Sequence, residues 1–133
     1  RSFNEERGAF MKYGVILGLA AITVLALADT LAQSKKELTY TKDVAPIIKR
    51  YCIPCHLEEN ENPSGLALDD YEKTMKGGNH ESTVVPRKPQ ESYLYLKILP
   101  NPPFGKQMAR NKKKLTEEET KTIYDWIAQG AKK

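Results

Sequence analysis

Residues 52–56 read Cys-Ile-Pro-Cys-His, and Cys52 and Cys55 are the only two cysteines in a chain of 133 residues; His56 is one of its two histidines. Three chemistries use two thiols at this spacing beside an imidazole. A redox dithiol exchanges electrons between the sulfurs themselves. A zinc site takes both sulfurs and the imidazole and adds a fourth ligand. A haem attachment site bonds the two sulfurs to the vinyl groups and points the imidazole at the iron. The sequence on either side has to decide among them.

Upstream, Tyr40-Thr-Lys-Asp-Val-Ala-Pro-Ile-Ile-Lys-Arg-Tyr51 sets Val44, Ile47, Ile48 and Tyr51 at the i, i+3, i+4, i+7 spacing of one helix face. Asp43 reads as the N-cap, and Pro46 falls in the first turn, where its missing N–H is not needed. A short amphipathic helix is therefore expected to run straight into Cys52. Downstream, Glu58–Gly65 is rich in turn formers and reads as a loop. Leu68–Gly77 reads as a small helix, with Asp69 and Glu72 as its capping pair and Gly77 at its end. Glu91–Leu99 reads as a helix of about two turns, stopped by Pro100, Pro102 and Pro103. Thr116-Glu-Glu-Glu119 is a capping box for a last helix with Ile123, Trp126 and Ile127 on one face and Gly130 at its C-terminus. No alternating run of β-branched residues competes, so the expected fold class is all-α, with three to five helices.

This framework bears on the motif. A thioredoxin-like dithiol belongs between a strand and a helix, and no strand is expected here. Structural zinc wants a fourth ligand, and only His80 remains, alone in a loop. A haem wants a helix entering the motif and, later, a loop that supplies a second axial ligand. Phe104-Gly-Lys-Gln-Met108 lies between the prolines and the last helix, and the Met108 thioether can close the sixth position and raise the potential. His80 is the rival ligand, and an open sixth position is the remaining choice. Met75 is expected to pack under Tyr71, and Trp126 to seat the last helix on the first near Val44 and Ile48. Tyr51, Tyr93 and Tyr95 read as core or pocket walls.

With 29% charged and 40% hydrophobic residues, the chain has little apolar material for a core, and a haem would supply much of its interior. From Val15 to Ala28 the sequence is uncharged, shorter than the about 20 apolar residues that span a bilayer. Lys12 precedes this run and Ala26-Leu-Ala28 closes it, as in a secretory signal. The expected organisation is an unassigned extension at 1–10, a signal peptide or N-terminal membrane anchor at 11–28, a linker at 29–39 and a single domain at 40–133. Membrane association is expected only if residues 11–32 are retained. A net charge of +4 without interleaved basic and aromatic residues argues against nucleic acid.

Taken in order, Tyr40–His56, Ser64-Gly-Leu-Ala-Leu-Asp-Asp-Tyr71, Gly77-Gly78, Val85-Pro86, Glu91–Ile98, Met108 and Leu115–Ala131 resemble a monohaem c-type cytochrome domain, class I-like and of the planctomycete type. Where many relatives follow the ligand methionine with proline, this chain has Ala109 and Arg110. The resemblance implies a small cytochrome c fold around one covalent haem c. It also implies Cys52 and Cys55 as thioether attachment points, His56 as proximal ligand and Met108 as distal ligand. The function expected is an exported, periplasmic carrier of single electrons between redox partner proteins, not an enzyme, acting alone or as the haem subunit of a larger oxidoreductase complex. The alternatives are a thiol–disulfide oxidoreductase using Cys52 and Cys55, or a haem protein with an open sixth site. Arg110, Lys112, Lys113 and Lys114 form a basic cluster that is either solvated surface or a guide for a partner with an acidic docking face.

Overall fold

In a computed structural model the helix that leads to the motif starts at Thr39, not at Asp43. Thr39 is extended, and its hydroxyl accepts the Lys42 N–H at 3.4 Å. The Asp43 carboxylate reaches back to accept the Thr39 N–H at 2.9 Å, so Asp43 is the return arm of a reciprocal cap rather than the cap itself. The first turn, Tyr40–Val44, is π-wound and passes directly into α1, Ala45–Tyr51. Pro46, in the first turn of α1, has no N–H to return to the residues before it, and the wide turn falls just ahead of it. The expected apolar face is in place: Val44, Ile47, Ile48 and Tyr51 are all buried.

The next helix, α2 (Tyr71–Lys76), is capped by Asp70, whose carboxylate accepts the Lys73 N–H at 2.8 Å. Asp69, the expected cap, instead pairs with the Lys73 ammonium at 2.5 Å. Gly77 ends the helix with φ of 78°. The two-turn helix expected over 91–99 is broken in two: a 3₁₀ turn at Pro89–Glu91, then α3, Tyr93–Leu96. Ser92 sits at the break, fully buried. Its hydroxyl accepts the Val85 N–H and donates to the Lys88 carbonyl, both at 2.9 Å. A buried hydroxyl that competes for main-chain partners in this way interrupts a helix.

The last helix, α4 (Glu117–Ala128), has both arms of its capping box. Trp126 is fully buried and its ring lies 5.9 Å from that of Tyr40, in one cluster with Val44 and Ile48, as its spacing suggested. Beyond Gly130 the chain doubles back. The Lys132 carbonyl accepts both the Tyr40 N–H at 2.9 Å and the Trp126 indole N–H at 2.8 Å.

The structure describes residues 36–133 apart from 61, 81–82 and 111–112. The extension at 1–10, the expected signal or anchor at 11–28 and residues 29–35 of the linker lie outside the described residues. Among those described there is no strand, and no helix is long and apolar enough to cross a membrane. Glu37–Lys133 forms one compact unit, a small all-α fold of four short α-helices joined by long loops.

Candidate haem attachment site

Cys52–His56 is a tight turn wound directly off α1. The Cys52 and Ile53 N–H groups both return to the Ile48 carbonyl, at 2.8 and 3.2 Å, and the His56 N–H returns to the Cys52 carbonyl at 3.1 Å. Cys52 is half-buried, Cys55 is exposed, and no disulfide joins them.

The His56 ring is fixed by the loop that follows. Its Nδ1 lies 3.0 Å from the Leu66 carbonyl oxygen. A carbonyl can only accept, so Nδ1 carries the proton, and in the neutral ring Nε2 keeps its lone pair for a metal. Ligating histidines are oriented in just this manner. The Leu68 N–H closes the same contact by donating to the His56 carbonyl at 2.8 Å. Asn62 builds the loop: its amide N–H donates to the Leu66 carbonyl at 3.2 Å, and its oxygen accepts the Ser64 hydroxyl at 2.5 Å and the Leu66 N–H at 3.3 Å. Gly78 backs it so closely that an added Cβ would lie 2.4 Å from the Ser64 carbonyl oxygen and 2.8 Å from the Leu66 nitrogen. The sequence reading saw turn formers here but did not single out Asn62 or Leu66, and the Gly77-Gly78 pair was the one visible sign of a close backbone approach.

Met108 lies half-buried against the same core as Cys52, and its N–H donates to the Lys97 carbonyl at 2.8 Å. The loop between them is folded onto the exit from α3. The Lys97 ammonium donates to the Phe104 carbonyl and lies 4.4 Å from the centre of the Phe104 ring. Burial holds the Lys97 pKa below the ordinary lysine value. Gln107 donates to the Ile98 carbonyl at 2.8 Å. His80 is not the isolated loop residue the sequence suggested: exposed on one side, it stacks 4.5 Å from Phe104, which also meets Tyr93 edge-on at 5.0 Å. The rival ligand is thus attached to the segment that carries Met108. Of the basic cluster, Arg110, Lys113 and Lys114 are exposed, Lys112 lies outside the described residues, and the Lys114 ammonium folds back along the surface to donate to the Ala109 carbonyl at 2.7 Å.

Glu119 ties the motif to α4. Its carboxylate pairs with Arg50 at 2.7 Å, accepts the Tyr51 hydroxyl at 2.8 Å and accepts the Thr116 N–H at 2.9 Å. Partial burial pushes its pKa upward. The Thr116 N–H, the Tyr51 and Thr116 hydroxyls and the Arg50 charge together outweigh that, so Glu119 titrates below the ordinary glutamate value. The same contact pushes the Tyr51 pKa upward. Because Tyr51 directly precedes Cys52, the attachment turn is anchored at both of its ends.

Among the described residues no three His, Cys, Asp or Glu side chains are grouped to hold a metal ion. Among the described residues no strand precedes the two thiols; a helix does. A polar cleft of about 320 Å³, lined in part by Glu58, Asn62, Lys73 and Asn79, lies beside the His56 loop but includes neither the thiols, His56 nor Met108. Ile53, Leu66, Met75, Tyr95, Met108 and Leu115 lie half-buried around the core. Two sulfurs and an imidazole with its Nε2 available, at this spacing, are the donors that attachment of a haem through C-x-x-C-H takes.

No curated protein and no solved structure matches the chain. The family model described as Planctomycete cytochrome C matches residues 52–105, opening at Cys52 and closing before Met108. An all-α fold, a C-x-x-C-H turn wound off a helix and that match agree with one another, and over residues 52–105 the chain is similar to the Planctomycete cytochrome C family.

Proposed function

We propose that the chain binds a single haem c through thioethers at Cys52 and Cys55, with His56 as proximal and Met108 as distal ligand, and that it works as an exported, periplasmic one-electron carrier rather than as a catalyst. The observation that carries the reading is the His56 Nδ1–H donated to the Leu66 carbonyl, which presents Nε2 as the ligand atom directly after two correctly spaced thiols. The haem supplies the redox couple; everything else is the work of this chain. His56 is held in one tautomer and one orientation by the Leu66 carbonyl, and the Met108 N–H is held by the Lys97 main-chain carbonyl. Fixed ligands on both sides keep reorganisation small, which suits a carrier. Arg110 and Lys113, exposed beyond Met108, would guide an acidic redox partner by charge.

The deciding experiment is a pyridine haemochrome spectrum with in-gel haem staining on protein matured in an export-competent host, combined with iodoacetamide labelling. Covalent haem at one per chain and sulfurs that resist alkylation after reduction are expected. Haem-free protein in which both thiols alkylate on reduction would replace this reading with a thiol–disulfide oxidoreductase. Rapid carbon monoxide binding by the ferrous wild type would instead indicate an open sixth site.

A further inference from the structure

The Lys114 ammonium donates to the Ala109 carbonyl at 2.7 Å and reaches the Gln107 carbonyl at 3.4 Å. These are the two peptide oxygens that flank Met108. Lys97 serves the same loop from the other end: its carbonyl accepts the Met108 N–H, and its ammonium donates to the Phe104 carbonyl above the Phe104 ring. We infer that Lys97 and Lys114 are positioning residues for Met108, a pair of cationic clamps that hold the loop in the conformation that presents the thioether. The inference rests on Met108 as sixth ligand.

The physical reason lies in what else could hold this segment. Residues 97–116 contain no regular helix or strand among those described, so few of the loop's peptide groups have a ladder to join. An ammonium group offers three donors on a long stem and can collect carbonyls that point in different directions. Bonds from a charged donor are stronger than neutral ones. With the Lys114 ammonium on the carbonyls at 107 and 109, the Lys97 ammonium on the Phe104 carbonyl and the main-chain carbonyl of residue 97 on the Met108 N–H, the backbone is fixed on both sides of the ligand. The thioether is therefore pre-organised, and little ordering remains when it binds iron. Neither lysine acts as a ligand.

The test uses holoprotein and compares Lys114→Ala, Lys97→Ala, Lys114→Arg and Lys113→Ala. Loss of one charge-assisted clamp should raise the population with the thioether off the iron about tenfold. Carbon monoxide binding to the ferrous form should accelerate by the same factor in Lys114→Ala and Lys97→Ala. In the ferric form the weak far-red band of methionine sulfur on iron should fade at lower temperature than in the wild type. Lys114→Arg, which keeps a cation with N–H donors, should restore wild-type behaviour, and Lys113→Ala, its exposed neighbour, should not depart from it. Wild-type carbon monoxide rates and an unchanged band in Lys114→Ala, with helicity intact, would overturn the clamp while leaving Met108 as ligand. A wild type with no such band would overturn the ligand assignment itself, and the clamp with it.

Discussion

The segments that carry His56 and Met108 are held by different means. His56 is held mainly by the main chain: its ring by the Leu66 carbonyl, its own carbonyl by the Leu68 N–H, and the loop between by one asparagine and a glycine contact that admits no side chain. Met108 itself has one main-chain bond, to the Lys97 carbonyl, and the rest of its loop is held by the ends of long side chains, Lys97, Gln107 and Lys114. Main-chain contacts within a short segment are costly to break one at a time. Contacts made by flexible side chains each have to overcome rotamer entropy. The distal arm should therefore open before the proximal one, and ligand exchange should begin at Met108.

The severest way to break this contrast is to attack the proximal arm at its covalent links. Cys52→Ala or Cys55→Ala leaves at most one thioether and should shift the haemochrome band and remove most of the holoprotein on a haem-stained gel. The apoprotein should be largely unfolded by circular dichroism, because a small, polar domain needs a staple. A haem-free chain with wild-type helicity would show that the protein core suffices without it.

On the distal arm, Met108→Ala should abolish the far-red ferric band, open the iron to carbon monoxide and lower the potential, since the thioether favours ferrous iron. His80→Ala should keep the band and cost only about 1 kcal/mol, the worth of a stacked ring. The reverse pattern would make His80 the ligand, which its stacking on Phe104 makes a sharper question than its sequence position suggested.

Glu119→Gln sharpens the comparison from the side of α1, where a side chain does support the proximal turn. Glu119 has a depressed pKa, so its stabilisation is fully present above the ordinary glutamate value and is lost as pH falls through the depressed one. The variant should be less stable than wild type near neutral pH by about 1–2 kcal/mol. The difference should vanish in acid, once Glu119 is protonated in the folded state. Denaturant midpoints across that pH range measure it, and a gap that persists in acid would assign the effect to packing.

The smallest structural effect is expected at Arg110→Glu with Lys113→Glu, exposed positions where stability should change by less than about 0.5 kcal/mol. Electron exchange with an acidic partner should nevertheless slow at low salt and lose its ionic-strength dependence, with the spectrum unchanged. An unchanged rate would leave these residues as solvated surface.

The contrast between the arms also separates what could be read from the sequence from what could not. The motif, the apolar face of α1 and the Thr116–Glu119 box are local patterns, and each appears where its spacing placed it. The caps of the first two helices shifted because neighbouring residues offered equivalent oxygens. Thr39 prevailed over Asp43, and Asp70 over Asp69, once the entering backbone was extended at Thr39 and Asp70. The 91–99 helix broke because Ser92 turned its hydroxyl inward to Val85 and Lys88, a choice set by how the loop just before it folds back rather than by helical spacing. The clamps on the Met108 loop had no signature, since a lysine that collects carbonyls and a lysine in solvent look alike in a string of letters. Lys114, grouped by sequence with a charged surface, remains exposed while its ammonium reaches the carbonyls at 107 and 109.

The double acceptor at Lys132 has a consequence for how such a unit can be used. Its carbonyl takes one N–H from Tyr40, near the entry of the chain, and one from Trp126 in the last helix. Nearby, the Leu38 N–H donates to Gln129 at 2.8 Å, and Lys132 pairs with Glu37. Entry and exit therefore share one doorway. A domain with adjacent ends can be spliced into a loop of a host protein or set in a tandem array with short connectors, because the gap to be bridged is small and its helices need not part. The unit from Glu37 to Lys133 has the geometry of an insertable module.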